Sequence, residues 1–572
     1  MSASLSPPPA RADATLFDLL LWPVLIGGTA ASGVLWAVGQ VAGRVFGGRW
    51  PDVAAADVGG ILLRFPQHLR DPARAWPADT RALLPGPVGF YAIATVLALP
   101  VVGVGAAWIA WRSRGRRSAD DGARWATARD LRHLVVRGAA RGRLVLGRHG
   151  RALVATEERH SVIVFGPTQT GKTSGLAIPA ILEWDGPVVC TSVKTDLLRD
   201  TLRARAARDG DVLVYDPSGA TGHASCSWTP LASCGSWGEA QRMASALTSA
   251  VRGAGAIDNA DFWLAAAAKL LAPLLYAAHL AGYGIGDVVR WLDRQEADEI
   301  KEILEHVADD TDGDRRAREA RAALDAASAS WSRDPRTRSS IYTTAEIALS
   351  AYADPGVLDT ATGSDLHGLR LLDGRRHTVY LCAPSHEQRR LRPLFSALVQ
   401  DLVTAAYERV ARTGRPLDPP LLVVLDEAAN IAPVPQLDTL ASTGAGQGIQ
   451  LVSIFQDMAQ VEATYGRDRA PTIVANHRAK LLLSGISDRT TLEYVALLLG
   501  DEASPHRTAT SSSSGHSTVS ETVHYRKLAS ADALRQLRPG EGVLVYGHLP
   551  PAKLALRPWF RESSLRRLTE EA

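Results

Sequence analysis

The sequence predicts an α/β fold built on a doubly wound, parallel-rich sheet, and three observations support it. Eight short apolar runs recur through residues 161–547, helical stretches separate many of them, and a glycine-bearing loop follows the first run. The runs are SVIVF (161–165), PVVCTSV (187–193), DVLVYD (211–216), TVYLCA (378–383), LLVVLDE (421–427), QLVSIF (450–455), AKLLLSG (479–485) and GVLVYG (542–547). Each is short and mostly β-branched or aliphatic, as strands buried on both faces are. Strand, crossover helix and strand in succession imply parallel pairing.

Two membrane helices are expected ahead of the sheet. No residue is charged from Leu19 to Gly43 or from Ala82 to Trp111, and about 20 apolar residues suffice to cross hydrocarbon as a helix. Trp22, Trp36, Trp108 and Trp111 lie near the ends of the two runs, where interfacial aromatics belong. The first run is too long, and its leader too poor in positive charge, for a cleaved signal. The reading is an anchor over residues 1–118, with spans at about 19–43 and 84–111 and an outer loop at 44–81. RSRGRR (112–117) follows the second span and argues for a cytoplasmic side there. The outer loop, with six Arg against four Asp, weakens that asymmetry. A downstream phosphate loop needs cytosolic nucleotide, which places both chain ends inside.

Composition narrows the rest. The 572 residues call for more than one domain, and the apolar (46%) and charged (22%) fractions suit folded protein. A net charge of +3 is too small to argue for nucleic acid by itself. Only seven of the 63 basic residues are Lys, so the excess of Arg reads as genome bias. Cys190, Cys226, Cys234 and Cys382 form no C-x-x-C pair and fit reduced thiols.

Beyond the anchor, residues 119–257 and 354–572 read as two parts of one nucleotide-binding domain, with an all-α insertion between them over 258–353. The apolar helix DFWLAAAAKLLAPLLYAAHLAG carries Lys269 and Pro273 mid-run. A charge at bilayer centre costs about 3 kcal/mol, so this helix is expected in a protein core. SPHRTATSSSSGHSTVS (504–520) is expected as a polar loop without packed structure.

The loop after the first strand reads GPTQTGKT, residues Gly166, Pro167, Thr168, Gln169, Thr170, Gly171, Lys172 and Thr173. It fits G-x-x-x-x-G-K-S/T, in which backbone N–H groups at a helix N-terminus cradle phosphates. Lys172 is expected to reach the β- and γ-phosphates and the Thr173 hydroxyl to ligate Mg²⁺. The cofactors implied are ATP and Mg²⁺. LLVVLDEAAN ends a strand in Asp426 and Glu427, at the sheet edge where ligands bind. Asp426 is expected to hold the metal shell, and Glu427 to act as general base on water. Gln456 closes another strand and either senses the γ-phosphate or orients water, or is a solvent-facing loop residue.

Taken in order, these motifs resemble the type IV coupling proteins, the TraG/TraD-like ATPases of conjugation and type IV secretion. The likeness is carried by GARWATARDL (122–131), the phosphate loop and its helix, SVKTDLLRDTLRARAARDGDVLVYDPSG (192–219) and SWTPL (227–231). FWLAAAAKLLAPLL (262–275), LLVVLDEAANIAPVPQL, Gln456 and the YG at 465–466 complete it, so that it runs from roughly 120 to 565. It implies a RecA-like P-loop NTPase, a homo-hexamer with ATP between subunits, and an inner-membrane, multi-pass protein with its ATPase domain in the cytoplasm. It also implies DNA, relaxosome proteins or protein cargo, and a type IV secretion channel, as partners. One departure stands out: relatives often carry an arginine after the Walker B strand, whereas this chain reads STGAGQG at 442–448. Arg338, Arg467 and Arg478 are the alternatives for an arginine supplied to a neighbouring subunit.

The basic stretch 112–151 has twelve Arg and three Asp. Its place beside a span favours anionic lipid headgroups over DNA phosphates. Two other functions stay open: a septal DNA translocase of the FtsK kind, which usually has four spans and a long linker, and a nucleotide-binding scaffold with little turnover.

Overall fold

The computed structural model of the chain describes residues 16–114, 122–193, 195–251, 260–310, 314–511 and 517–570. It separates into two compact units, residues 1–120 and 121–572. In the first, helix Leu16–Gly47 contains the first uncharged run, and helix Pro87–Arg114 takes up the second from Pro87 onward, a few residues later than expected. Between them lie a short helix, Ala55–Arg64, and three 3₁₀ turns. Trp76 is fully buried against Phe90, edge to face at 5.2 Å. Gly39 lets the indole lie on the first helix, since a Cβ there would fall 2.4 Å from the ring.

The second unit is built on twelve strands: β1 (Val135–Val136), β2 (Val145–His149), β3 (Ala152–Ala155), β4 (Val162–Phe165), β5 (Val188–Ser192), β6 (Val212–Tyr215), β7 (Thr378–Cys382), β8 (Leu421–Leu425), β9 (Ile449–Phe455), β10 (Ala479–Leu483), β13 (Glu541–Tyr546) and β14 (Ala552–Ala555). A separate ribbon pairs β11 (Asp501–Ser511) with β12 (Ser517–Lys527). The sheet order is β1-β3-β2-β14-β13-β10-β4-β9-β8-β5-β7-β6. Neighbours from β10 to β6 pair in parallel.

The other end is antiparallel, so the sheet is mixed rather than wholly doubly wound. The run at 542–547 is a strand as expected, but it pairs antiparallel with β10. A hairpin of β2 and β3, joined by His149–Ala152, escaped the sequence reading because its Arg and Gly residues interrupt the apolar pattern. Residues 504–511 and 517–520 also depart from the expected loop. They lie in the β11–β12 ribbon, whose cross-strand ladder, and not apolar content, supplies the order. Residues 512–516 of that segment fall outside those described, as do Arg116 and Arg117 of the basic run.

Helices fill the interval between β6 and β7. A capping box starts the first, Trp237–Ser249: Glu239 N–H donates to Ser236 Oγ, and Ser236 N–H to Glu239 Oε2. The apolar helix Ala260–Ala281 packs on it, and four further long helices follow between Ile285 and Leu349. Among the helices whose side chains are described throughout, Ala260–Ala281 alone combines the length and apolarity of a span. Most of it is buried in protein, while Lys269 faces solvent. It is a core helix.

Two polar features lock the body. Arg557, 3% exposed, is held bidentately by Glu183 at 2.8 Å and also by Glu562 at 2.8 Å. Removing one partner from a buried ion cluster costs about 3–5 kcal/mol. Arg557→Ala is therefore expected to lower the denaturation midpoint sharply, and a midpoint close to the wild type's would show the cluster to be inert. His477 is fully buried, with Nδ1 on the Ile473 carbonyl and Nε2 on the Ser453 hydroxyl. Burial pushes its pKa down to about 4.

The unfolded chain takes up this proton near pH 6.5, before the native chain does. Stability contributed by neutral His477 is thus complete above that pH and drains away as pH falls toward 4, by about 3 kcal/mol. Melting temperatures of wild type and His477→Gln, measured from pH 7 to 4.5, should show a steeper acid loss in the wild type.

Candidate nucleotide site

Three adjacent strands set the site. β4 carries the glycine loop at its C-terminal end, β8 carries Asp426 and Glu427, and β9, between them, ends at Gln456. Their registers pair Phe165 with Phe455 and Leu425 with Ser453, so all three exits leave the sheet at nearly one level. Parallel strands present their C-terminal ends together, and the crevice beyond that edge is where such sheets bind ligands.

The loop's shape follows from local chemistry. Gly166 N–H donates to the Phe455 carbonyl at 3.0 Å. A Cβ at Gly166 would lie 2.9 Å from Thr170 Oγ1, which itself donates to the Pro167 carbonyl. Gly171 turns the chain at φ +85°, a conformation a side chain would strain. A helical segment begins at Thr173 and continues through Ile178–Glu183.

Around this loop lies a cavity of about 430 Å³. It brings together Thr168, Gln169, Gly171, Lys172, Thr173, Asp426, Glu427 and Gln456 of the expected set. Gly166, Pro167 and Thr170 shape the loop without lining the cavity. Sequence reading missed Asp196, Ser385, Gln388 and Asn430 on its wall. Ser385 and Gln388 follow the end of β7, and their only signal was position just past a strand.

Lys172 is buried, with Nζ 2.7 Å from Glu427 Oε1 and 3.3 Å from the Gly166 carbonyl. The second Glu427 oxygen accepts from Gln456 Nε2 and Asn430 Nδ2, each at 3.1 Å. Gln456 is thus tied into the site and not left on a solvent-facing loop. Glu427 has φ +54°, rare for a residue with a side chain, in a turn closed by Asn430 N–H on its carbonyl. Such strain costs on the order of 1–3 kcal/mol and clusters at functional positions.

Asp426 is 6% exposed. Its Oδ2 accepts from Thr173 Oγ1 at 2.9 Å, while Oδ1 is buried with no hydrogen-bond partner. Burial raises its pKa to about 6, against the opposing pull of Lys172 and Thr173. An orphaned carboxylate oxygen beside a hydroxyl is an all-oxygen donor set suited to a hard divalent cation such as Mg²⁺. No arginine lines the cavity among the described residues. Arg478 lies at the opposite, N-terminal edge of β10, Arg467 is almost fully exposed, and Arg338 donates to the Trp331 carbonyl within the helical part.

The sheet, the loop and the paired acids define an α/β fold of the P-loop NTPase class. The sequence model of the family described as type IV secretory system conjugative DNA transfer matches residues 125–571, and the chain belongs to that family. It is 26% identical over 471 residues to protein VirD4 of Agrobacterium fabrum, covering 78% of this chain and 67% of that one. It is 27% identical over 329 residues to the conjugal transfer protein TraG of Escherichia coli, covering 54% of this chain and 51% of TraG. The chain thus spans between half and two thirds of the length of these relatives. The plasmid coupling protein TrwB, solved with ADP and Mg²⁺, shares the fold: TM-score 0.58, 19% identity, covering 76% of this chain and 94% of TrwB.

Proposed function

We propose that this chain is a membrane-anchored ATPase of the coupling-protein kind. It would recruit DNA, or DNA with bound protein, and drive it toward a type IV secretion or conjugation channel. The observation that carries this reading is the convergence of Lys172, Thr173, Asp426, Glu427 and Gln456 on one cavity at the sheet's C-terminal edge. The family match supports the cargo and the channel as partners. The TrwB complex with ADP and Mg²⁺ supports the cofactors, ATP and Mg²⁺.

In this reading Thr173 and Asp426 hold the metal, which when bound would offset phosphate charge. The loop's N–H groups and Lys172 cradle the triphosphate. Glu427, steadied by Asn430 and Gln456, takes the proton of the attacking water. Lys172 must leave Glu427 to reach phosphate, so nucleotide arrival and release of the base are one event. Helices Leu16–Gly47 and Pro87–Arg114 are read as the two spans of an inner-membrane anchor, with the body in the cytoplasm. Residues 119–257 and 354–572 are read as the nucleotide domain around an all-α cargo domain. Arginines near the anchor meet lipid headgroups.

A homo-hexamer would let a neighbour supply the arginine that this cavity lacks. That lack also favours the second reading, a nucleotide-binding scaffold. Phosphate release by the full chain in detergent, with and without single-stranded DNA, decides between them. Release stimulated by DNA is expected, and none under any condition that assembles the protein would leave the scaffold.

A further inference from the structure

A second cavity, of about 310 Å³, lies where the all-α helices meet the nucleotide fold, and shares no lining residue with the first. Ser245 and Ser249, on helix Trp237–Ser249, line one wall. Arg392, on helix Gln388–Thr413, and Tyr465, closing helix Met458–Tyr465, line the other. Arg392 sits one turn beyond Gln388, which borders the nucleotide cavity.

Two polar groups here are donors lacking acceptors. Tyr465 is 4% exposed, and its hydroxyl is buried without a hydrogen-bond partner. Arg392 Nε is likewise buried and unpartnered, and among the described residues no carboxylate pairs with its guanidinium. Desolvation lowers the Arg392 pKa, as expected for a half-buried cation without a counter-ion. Arg469, also on the wall, adds positive charge but is paired with Asp438 at 2.7 Å. Asp261, the acid on the wall, already has a partner of its own.

Water could satisfy the phenol, but it cannot neutralise the guanidinium. An anion does both, and a guanidinium fork with a hydroxyl donor matches phosphate oxygens. We propose that this cavity binds a phosphate group, distinct from the nucleotide's, through Arg392 and Tyr465. The phosphate belongs either to a nucleic-acid strand or to a small free phosphate.

The test uses the full chain in detergent, saturated with ADP so that the glycine loop is filled, and titrated calorimetrically with short oligothymidylate or with inorganic pyrophosphate. Wild type is expected to bind at least one probe. Arg392→Met and Tyr465→Phe should each weaken that binding about tenfold or more, since each gives up a hydrogen bond to a charged group. ADP affinity should not change, and Arg392→Met should melt no lower than wild type, because an unpaired, half-buried charge has been removed. Binding of oligothymidylate alone assigns the site to a strand, and binding of pyrophosphate as well assigns it to free phosphate. The proposal is overturned if neither probe binds the ADP-saturated chain, or if both variants bind within about twofold of wild type. A lower melting temperature for Arg392→Met would make its guanidinium structural, leaving Tyr465→Phe to decide.

Discussion

Lys172→Ala is expected to weaken ATP binding by about a hundredfold or more, the largest effect of any single substitution at this site. Two losses combine. The loop's cation disappears from phosphate that it would meet in a buried, low-dielectric place, where charge-assisted contacts are strongest. The positive charge that offsets Asp426 and Glu427, 2.7 Å from the latter, is gone as well, leaving both acids to repel the incoming triphosphate. A hydrogen bond between charged groups is worth about 1.5–3 kcal/mol, more in a buried place, and every 1.4 kcal/mol is tenfold in affinity. Equilibrium binding of a fluorescent ATP analogue to the full chain would measure it. Membrane insertion should be untouched, because Lys172 belongs to a separate compact unit from the helices proposed as the anchor. Normal ATP affinity in this variant would remove the loop from the mechanism.

Glu427→Gln is expected to have the opposite signature, with ATP bound at least as well as in wild type and turnover reduced about 10²- to 10⁴-fold, the range for loss of a general base. The substitution keeps the shape of the side chain. It removes the charge that holds Lys172 at 2.7 Å, so the lysine is freer to turn to phosphate. Asn430 and Gln456 can still donate to the amide oxygen, which keeps the turn at 427 closed. Parallel measurement of ATP affinity and phosphate release separates binding from chemistry. Retained turnover would clear Glu427 of the base role and direct attention to Gln456 or Asp196 on the same wall.

Much of the nucleotide fold was legible because its signals are local. A buried parallel strand must be apolar on both faces, so β4, β5, β7, β8, β9 and β10 announce themselves as short aliphatic runs. The phosphate loop needs Gly where the backbone turns and where a Cβ would collide, and Gly166 and Gly171 stand at those positions. The β2–β3 hairpin and the β11–β12 ribbon were not legible. Their order comes from cross-strand hydrogen bonds and from pairing with distant segments, and Arg, Gly, Ser and Thr do not advertise it.

The identity of the motif residues was determined by the sequence alone: a lysine and a threonine after the glycine loop, and an Asp–Glu pair after an aliphatic strand. Their meeting was decided only by the tertiary structure. β9 inserts between β4 and β8, although it follows β8 in the chain, and this strand order puts Gln456 against Glu427. Ser385 and Gln388 reach the same wall because β7 pairs beside β5, and Arg392 and Tyr465 meet at the second cavity through helix docking. Strand order and helix docking are long-range outcomes of burying apolar surface, and residues hundreds of positions apart become neighbours without any local pattern that records it.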